Sequence, residues 1–204
     1  PQRKVRIHVP KQVDHAQRRV ELAAAVWRVV VREGIDHASL RLVAAEAGWS
    51  IGAIRHYFST RDELTAFAVR HIADRVGSRL SAMTAATPLD ELRLAAREVV
   101  PISPHSRDES RVWLSYVARS AIDPKLRPAV EELWQALNGY LMDRLAAARE
   151  AGQLAKGLDA GREALRFQAV LDGLVIAGLT TPDLVTAPTI ERIIDDHLDS
   201  LRAA

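Results

Sequence analysis

Apolar residues recur at three- and four-residue steps along most of the chain. No stretch alternates apolar and polar residues at two-residue steps, so the pattern predicts helices throughout and no sheet. Over residues 13–33 the stripe is Val20, Ala23, Ala24, Trp27, Val30 and Val31, and Gly34 supplies a stop. Ser39 can cap a short helix over 40–47 with Leu40, Val43 and Ala44 on one face. Gly48-Trp49-Ser50 interrupts it, and Ser50 can cap a third segment over 51–57. Thr60 with Glu63 reads as a capping box opening a long helix toward Ala85.

The second half repeats this grammar. Thr87-Pro88 starts a helix to about Val100, and residues 101–105 read as the one clear loop. Ser106 and Glu109 read as a second capping box, opening a helix through Trp113, Tyr116 and Val117 to Ile122. Pro128 restarts a long helix ending at Ala151-Gly152. Asp159 caps the next, which closes at Thr180-Thr181-Pro182, and Thr186-Ala187-Pro188 precedes a last amphipathic helix over 189–202. The expectation is an all-α protein of about nine helices, with a head over 1–75 and a larger helical body over 76–204.

Composition narrows the chemistry. The chain has 204 residues, 48% hydrophobic and 26% charged, enough to bury a real core. It has no cysteine, which excludes disulfides, thiolate metal sites and thiol redox sensing. No apolar run reaches the roughly 18 residues of a membrane helix. Pro1-Gln2-Arg3-Lys4-Val5-Arg6 has the charge of a signal peptide but no apolar block behind it. A cytoplasmic protein without membrane partners is the expectation. The net charge of +2 hides an asymmetry: residues 1–75 carry 13 basic and 8 acidic side chains, the remainder 15 and 18. A basic end on a mildly acidic body suits contact with a polyanion, although solvated helix faces carry such an excess routinely.

Spacing says more. Two short helices around Gly48-Trp49-Ser50, behind a longer one, have the layout of a helix-turn-helix. Gly48 can end the first helix in the left-handed conformation, and Gly52 lets backbone approach DNA. The segments Glu33-Gly34-Ile35, 38–54 (ASLRLVAAEAGWSIGAI) and 56–64 (HYFSTRDEL) resemble the TetR family signature, continuously over about residues 18–70. That resemblance implies a homodimeric transcriptional regulator, usually a repressor, released from an inverted-repeat operator by a small molecule. It further implies that Arg41, Tyr57 and Arg61 meet DNA phosphates, while Ser50, Ile51, Gly52, Ala53, Arg55 and His56 form the recognition segment. Val43, Ile54, Phe58 and Leu64 match buried positions. Arg61 stands where the family generally has lysine, Arg55 where it often has tyrosine, and Ile51 where it has lysine or arginine. Arg55 can pair with guanine, or act as a solvated or phosphate-binding arginine. Ile51 can touch a thymine methyl or pack locally. Arg3, Lys4, Arg6 and Lys11 form a basic arm over 1–12.

The body resembles the subgroup typified by the choline-responsive repressor BetI, through Asp123-Pro124, Ala151-Gly152-Gln153-Leu154 and Leu171-Asp172-Gly173-Leu174. No ligand is read from that likeness. Trp113, Tyr116, Trp134, Leu137, Tyr140, Leu141, Phe167, Gln168 and Leu171 lie on helices that should enclose an interior. They read as a mainly apolar ligand pocket or as ordinary core. Arg119, Arg166 and Asp172 read as buried polar partners for a ligand or as exposed salt-bridge members, and the second reading is preferred. Val170, Leu174, Ala177 and Gly178, with Ile190, Ile193, Ile194, His197, Leu198 and Leu201, give two stripes that suit a dimeric four-helix bundle. Part of each must also pack inward.

Enzymatic chemistry lacks its motifs. There is no HExxH, no Glu-x-x-His pair, no phosphate loop and no Gly-x-Ser-x-Gly. Asp195-Asp196-His197 points to different sides of a helix, and His105 beside Asp108 and Glu109 sits by a cap, so neither reads as a metal site. No cofactor is expected. The reading is a DNA-binding regulator whose partners are double-stranded DNA, a second copy of itself and an unidentified small-molecule effector. The alternatives are a dimeric helical binding protein or a helical enzyme using the interior, with DNA binding non-specific or lost.

Overall fold

The computed structural model describes residues 15–203. Its order is α1 (His15–Glu33), α2 (Leu40–Ala47), α3 (Ile51–Arg55), α4 (Arg61–Ala82), α5 (Pro88–Val99), α6 (Pro104–Ile122), a 3-10 turn (Pro124–Leu126), α7 (Arg127–Glu150), α8 (Ala160–Thr180) and α9 (Ala187–Ser200). Among the described residues there is no strand, only one isolated bridge between Leu154 and Arg202. The basic arm lies outside the described residues.

Most boundaries follow from local caps. The hydroxyls of Ser39, Ser50, Thr60, Thr87 and Thr186 and the carboxylate of Asp159 each accept from a backbone N–H in the first turn of their helix. Gly48 sits at φ 67°, left-handed, and its N–H and that of Trp49 close α2. Glu63 reaches past Thr60 to the backbone N–H of Ser59 at 2.6 Å. Several boundaries differ from expectation: α3 ends at Arg55 rather than at 57, α4 ends at Ala82, short of Ala85, and α9 spans Ala187–Ser200 rather than 189–202. Helix α6 begins at Pro104, not after Ser106: Ser103 is the cap, and Ser106 is its third residue, donating and accepting in the capping box with Ser103. Proline at the first helical position shifts the start forward, since its missing N–H needs no partner there. That shift frees Glu109 from capping.

Two cores are built. The first joins α1 to α4 through Leu22, Val26, Val29, Val43, Ile54, Phe58, Leu64 and Val69, and it also takes in Val112 and Tyr116 of α6 and Leu126. The second holds α5 and α7 to α9 together through Leu89, Leu92, Leu141, Leu145, Phe167, Leu171, Ile190, Ile194, Leu198 and Leu201. Helix α4 runs through positions 75 and 76 without a break, so head and body share one continuous helix. Gly178 lets α8 meet α9 and the α5–α6 connection: a Cβ there would lie 2.8 Å from Ile190 Cδ1 and 2.9 Å from Pro101 Cγ. No helix among the described residues is long and apolar enough to cross a membrane.

Candidate nucleic-acid interface and ligand cavity

The head presents a compact helix-turn-helix. Arg28 and Arg32 of α1 grip Glu46 of α2 at 2.6 and 2.8 Å, and these hydrogen bonds hold the Glu46 carboxyl below its usual pKa. Arg18 lies over the Trp49 ring, which in turn packs against Tyr57, with 5.8 Å between centroids. The turn is thereby clamped from α1 on one side and from the end of α3 on the other. Ile54 is fully buried beneath α3 and anchors its inner face, with Val43, Phe58 and Leu64 in the same core.

On the outer face, Arg41, Ser50, Ile51, Gly52, Arg55 and His56 are exposed, and Ala53 and Tyr57 are half-buried. Ser50 spends its hydroxyl on the Ala53 N–H at 3.1 Å, which fixes α3 rather than leaving that oxygen free to seek a base. Tyr57 is braced by Trp49 and by His56, whose ring meets it edge-on at 5.6 Å. Arg61 is exposed, yet one guanidinium N–H donates to the Ile35 carbonyl at 3.3 Å, tying the start of α4 to the α1–α2 connection. A surface with four exposed cationic or protonatable side chains, namely Arg41, Arg55, His56 and Arg61, flanking a five-residue helix can meet a phosphate-lined groove.

The body holds a cavity of about 290 Å³, partly open to solvent and bordered by α4 to α8. From the expected set, Trp113, Leu137, Tyr140 and Leu171 line it. Trp134, half-buried, stands behind the wall with its side chain on Asp172, and the other four go elsewhere. Tyr116 and Phe167 are fully buried in the first and second cores respectively, and Leu141 is buried in the second. Gln168 is buried and donates to the Trp134 carbonyl at 3.1 Å, which locks α7 to α8. Burial raises the pKa of both Tyr116 and Tyr140. The cavity also takes a wall from α4, through Val69, Ile72, Val76 and Leu80, none of them among the residues expected there.

Charge at the wall is more telling. Of the three residues expected in salt bridges, Arg119 pairs with Asp36 and Asp62, and Arg166 with Glu163. Asp172 instead faces the cavity, where burial raises its pKa against the opposing effect of a hydrogen bond from the Trp134 side chain. Across the cavity, Glu109 is only 4% exposed and receives both Arg79 amino groups, at 2.6 and 3.2 Å. Arg79 Nε also donates to Glu98 at 2.6 Å. Burial disfavours the Arg79 charge, but the hydrogen bonds it donates to Glu109 and Glu98 outweigh it and raise its pKa. His105 Nε2 sits 2.9 Å from Glu109, and Arg75 lies over the Trp27 ring. A chain of contacts thus runs from the cavity wall through α4 to α1.

Sequence comparison adds to this geometry. The pattern of bacterial regulatory proteins of the tetR family matches residues 22–66. The C-terminal pattern of BetI-type transcriptional repressors matches residues 88–203. The chain belongs to the TetR family. Its members are transcriptional regulators that bind DNA through this helix-turn-helix, not enzymes. As a TetR-family regulator it is 33% identical over 195 residues to the HTH-type transcriptional regulator PksA of Bacillus subtilis (strain 168), covering 95% of this chain and 94% of that one. It is 28% identical over 200 residues to BetI of Paraburkholderia phymatum, covering 96% and 98%. A transcriptional regulator from Saccharomonospora viridis, solved in complex with choline, superposes with a TM-score of 0.81 at 22% identity, over 93% of this chain and 100% of that one. At that identity the likeness speaks for the fold.

Proposed function

We propose that the protein is a homodimeric repressor, acting in the cytoplasm, whose hold on an inverted-repeat operator is released when a small molecule fills the body's cavity. The observation that carries this reading is the shared helix. Helix α4 places Val69, Ile72, Val76 and Leu80 on the cavity wall, while its first residue, Arg61, is tied to the α1–α2 connection beside the recognition segment. A ligand that wedges α4 away from α7 and α8 therefore moves the head. Differential affinity for two head positions is all that release requires. The Saccharomonospora viridis relative supports a small ligand in a body of this fold.

In this reading Arg41, Tyr57 and Arg61 position the head on phosphates. Ser50, Ile51, Gly52, Ala53, Arg55 and His56 face the groove, with Arg55 the candidate for guanine. Dimerisation uses α8 and α9, but by a different face from the one periodicity suggests. Ile190, Ile194, Leu198, Leu201, Leu174 and Gly178 are occupied inside the protomer, and Val170, Ala177 and His197 are half-buried. The outward stripe on α8 is Leu165, Ala169, Gly173 and Ile176, at helical spacing, with Ile193 exposed on α9. The paired recognition helices must then sit roughly 34–36 Å apart to enter successive major grooves.

The test uses a duplex selected by the protein from a random library, with fluorescence anisotropy followed against choline chloride and a general metabolite set. Release by any compound that also protects the body from unfolding supports the reading. Operator affinity untouched by every compound that binds the body contradicts it.

A further inference from the structure

We infer that the effector is a lipophilic amine, whose protonated nitrogen pairs with Asp172 through N–H donors while an apolar body fills the rest of the cavity. The inference rests on the proposal that this cavity holds the effector.

Three carboxylates reach the cavity wall, Glu98, Glu109 and Asp172, and no lysine, arginine or histidine lines it. Their situations differ. Glu98 and Glu109 share Arg79, whose three nitrogens all reach them, and Arg75 lies 3.8 Å from Glu109 as a second cation, so that side of the cavity is already compensated. Asp172 has no ion-pair partner among the described residues, and the hydrogen bond it takes from the Trp134 side chain comes from a neutral donor. A carboxylate in a mainly apolar wall gains more from an opposite charge than from any other contact. The protein supplies none, so the site is short of one positive charge.

The rest of the lining decides what kind of cation fits. Ser81 and Ser110 add hydroxyl oxygens, which accept from N–H groups. Trp113 and Tyr140 are the aromatic members of a wall that is otherwise largely aliphatic. A quaternary ammonium has no N–H to give and depends on aromatic faces around it, whereas an N–H-bearing cation draws on the carboxylate and the hydroxyls. At about 290 Å³ the space lies near the lower end of small-molecule pockets, roughly 300 Å³, so the apolar body is compact. Burial already raises the Asp172 pKa, and a bound cation would draw the carboxyl back to its ionised form.

The test is calorimetry on the full chain with hexylamine, 2-phenylethylamine and 1-adamantylamine, each beside its alcohol and its trimethylammonium counterpart. At least one amine is expected to bind over tenfold more tightly than both counterparts. Asp172→Asn should lose that preference while keeping the melting temperature, the alcohol affinity and operator binding. Alcohols binding as well as amines, a trimethylammonium form binding best, an unchanged Asp172→Asn, or no amine binding at all overturns the inference. A cavity-blocking variant, Val76→Trp, separates the two claims. If a neutral compound releases the operator and Val76→Trp abolishes the release, the cavity reading stands and the amine fails. If no compound of any class alters operator binding, the cavity reading itself fails.

Discussion

In the head, Arg41, Arg55 and His56 stand exposed on short helices whose opposite faces are fixed by residues a few positions away. Ser39, Gly48, Ser50 and Ile54 set those helices between them. In the body, Glu109 and Asp172 acquire their character from partners far along the chain: Glu109 from Arg79, and Asp172 from Trp134 and a wall built by five helices. The first arrangement is local and tolerates loss of a functional side chain without loss of fold. The second is not local: Glu109 with Arg79 holds the body together, while Asp172 defines what the cavity accepts.

That contrast predicts where substitutions hurt most. Glu109→Ala should cost the most, about 3 kcal/mol of stability, because it strips Arg79 of two of its three hydrogen bonds and takes the buried carboxylate from Arg75 and His105 as well. Urea unfolding checks it, and a loss near zero would mean the cluster is solvated in practice. Gly178→Ala comes next at about 2 kcal/mol, since the new Cβ meets the Pro101 ring, which cannot step aside. A melting temperature within error of the parent would show that the α5–α6 connection yields.

Head substitutions should leave stability alone and move binding instead. Arg55→Ala should remove at least about 1 kcal/mol of discrimination between the selected duplex and single-base variants. Arg41→Ala should instead weaken all duplexes alike and lower the salt slope by about 1. If Arg55→Ala weakened all sequences equally, its role would be phosphate contact. The smallest effect concerns pH. Burial lowers the pKa of His71 and of His197, which stacks on Phe167 with 4.8 Å between centroids. The unfolded chain therefore takes up protons first, near 6.5. Stability is full above that value, falls as pH drops toward the native pKa values, and levels off below them. Melting temperatures between pH 7.5 and 5.5 should fall less steeply in His71→Gln/His197→Gln than in the parent.

What sequence could tell tracks the same division. Helix starts were legible at most Ser, Thr or Asp caps, because a cap bonds within three residues of itself, although α9 starts at Ala187, two residues before the expected 189. The start of α6 escaped because two hydroxyls, Ser103 and Ser106, competed for the role and Pro104 favoured the first. The recognition segment was legible because its geometry is fixed inside one stretch of chain. The cavity was only half legible: Trp113, Leu137, Tyr140 and Leu171 line it, while Tyr116, Leu141, Phe167 and Gln168 are spent on cores and on locking α7 to α8. An aromatic at helical spacing fits either place, and only the packing of distant helices decides which. Asp172 looked like a surface acid because nothing near it in sequence says that its neighbours in space carry no positive charge.

The central claim is that two copies of this head read DNA as a pair. Selection of duplexes from a random library by the full chain tests it most directly. An enriched inverted repeat is expected, with half-site centres about one helical turn apart or a whole multiple of it. Weak, salt-sensitive binding with no enriched motif would contradict it and leave the basic head as a non-specific polyanion surface.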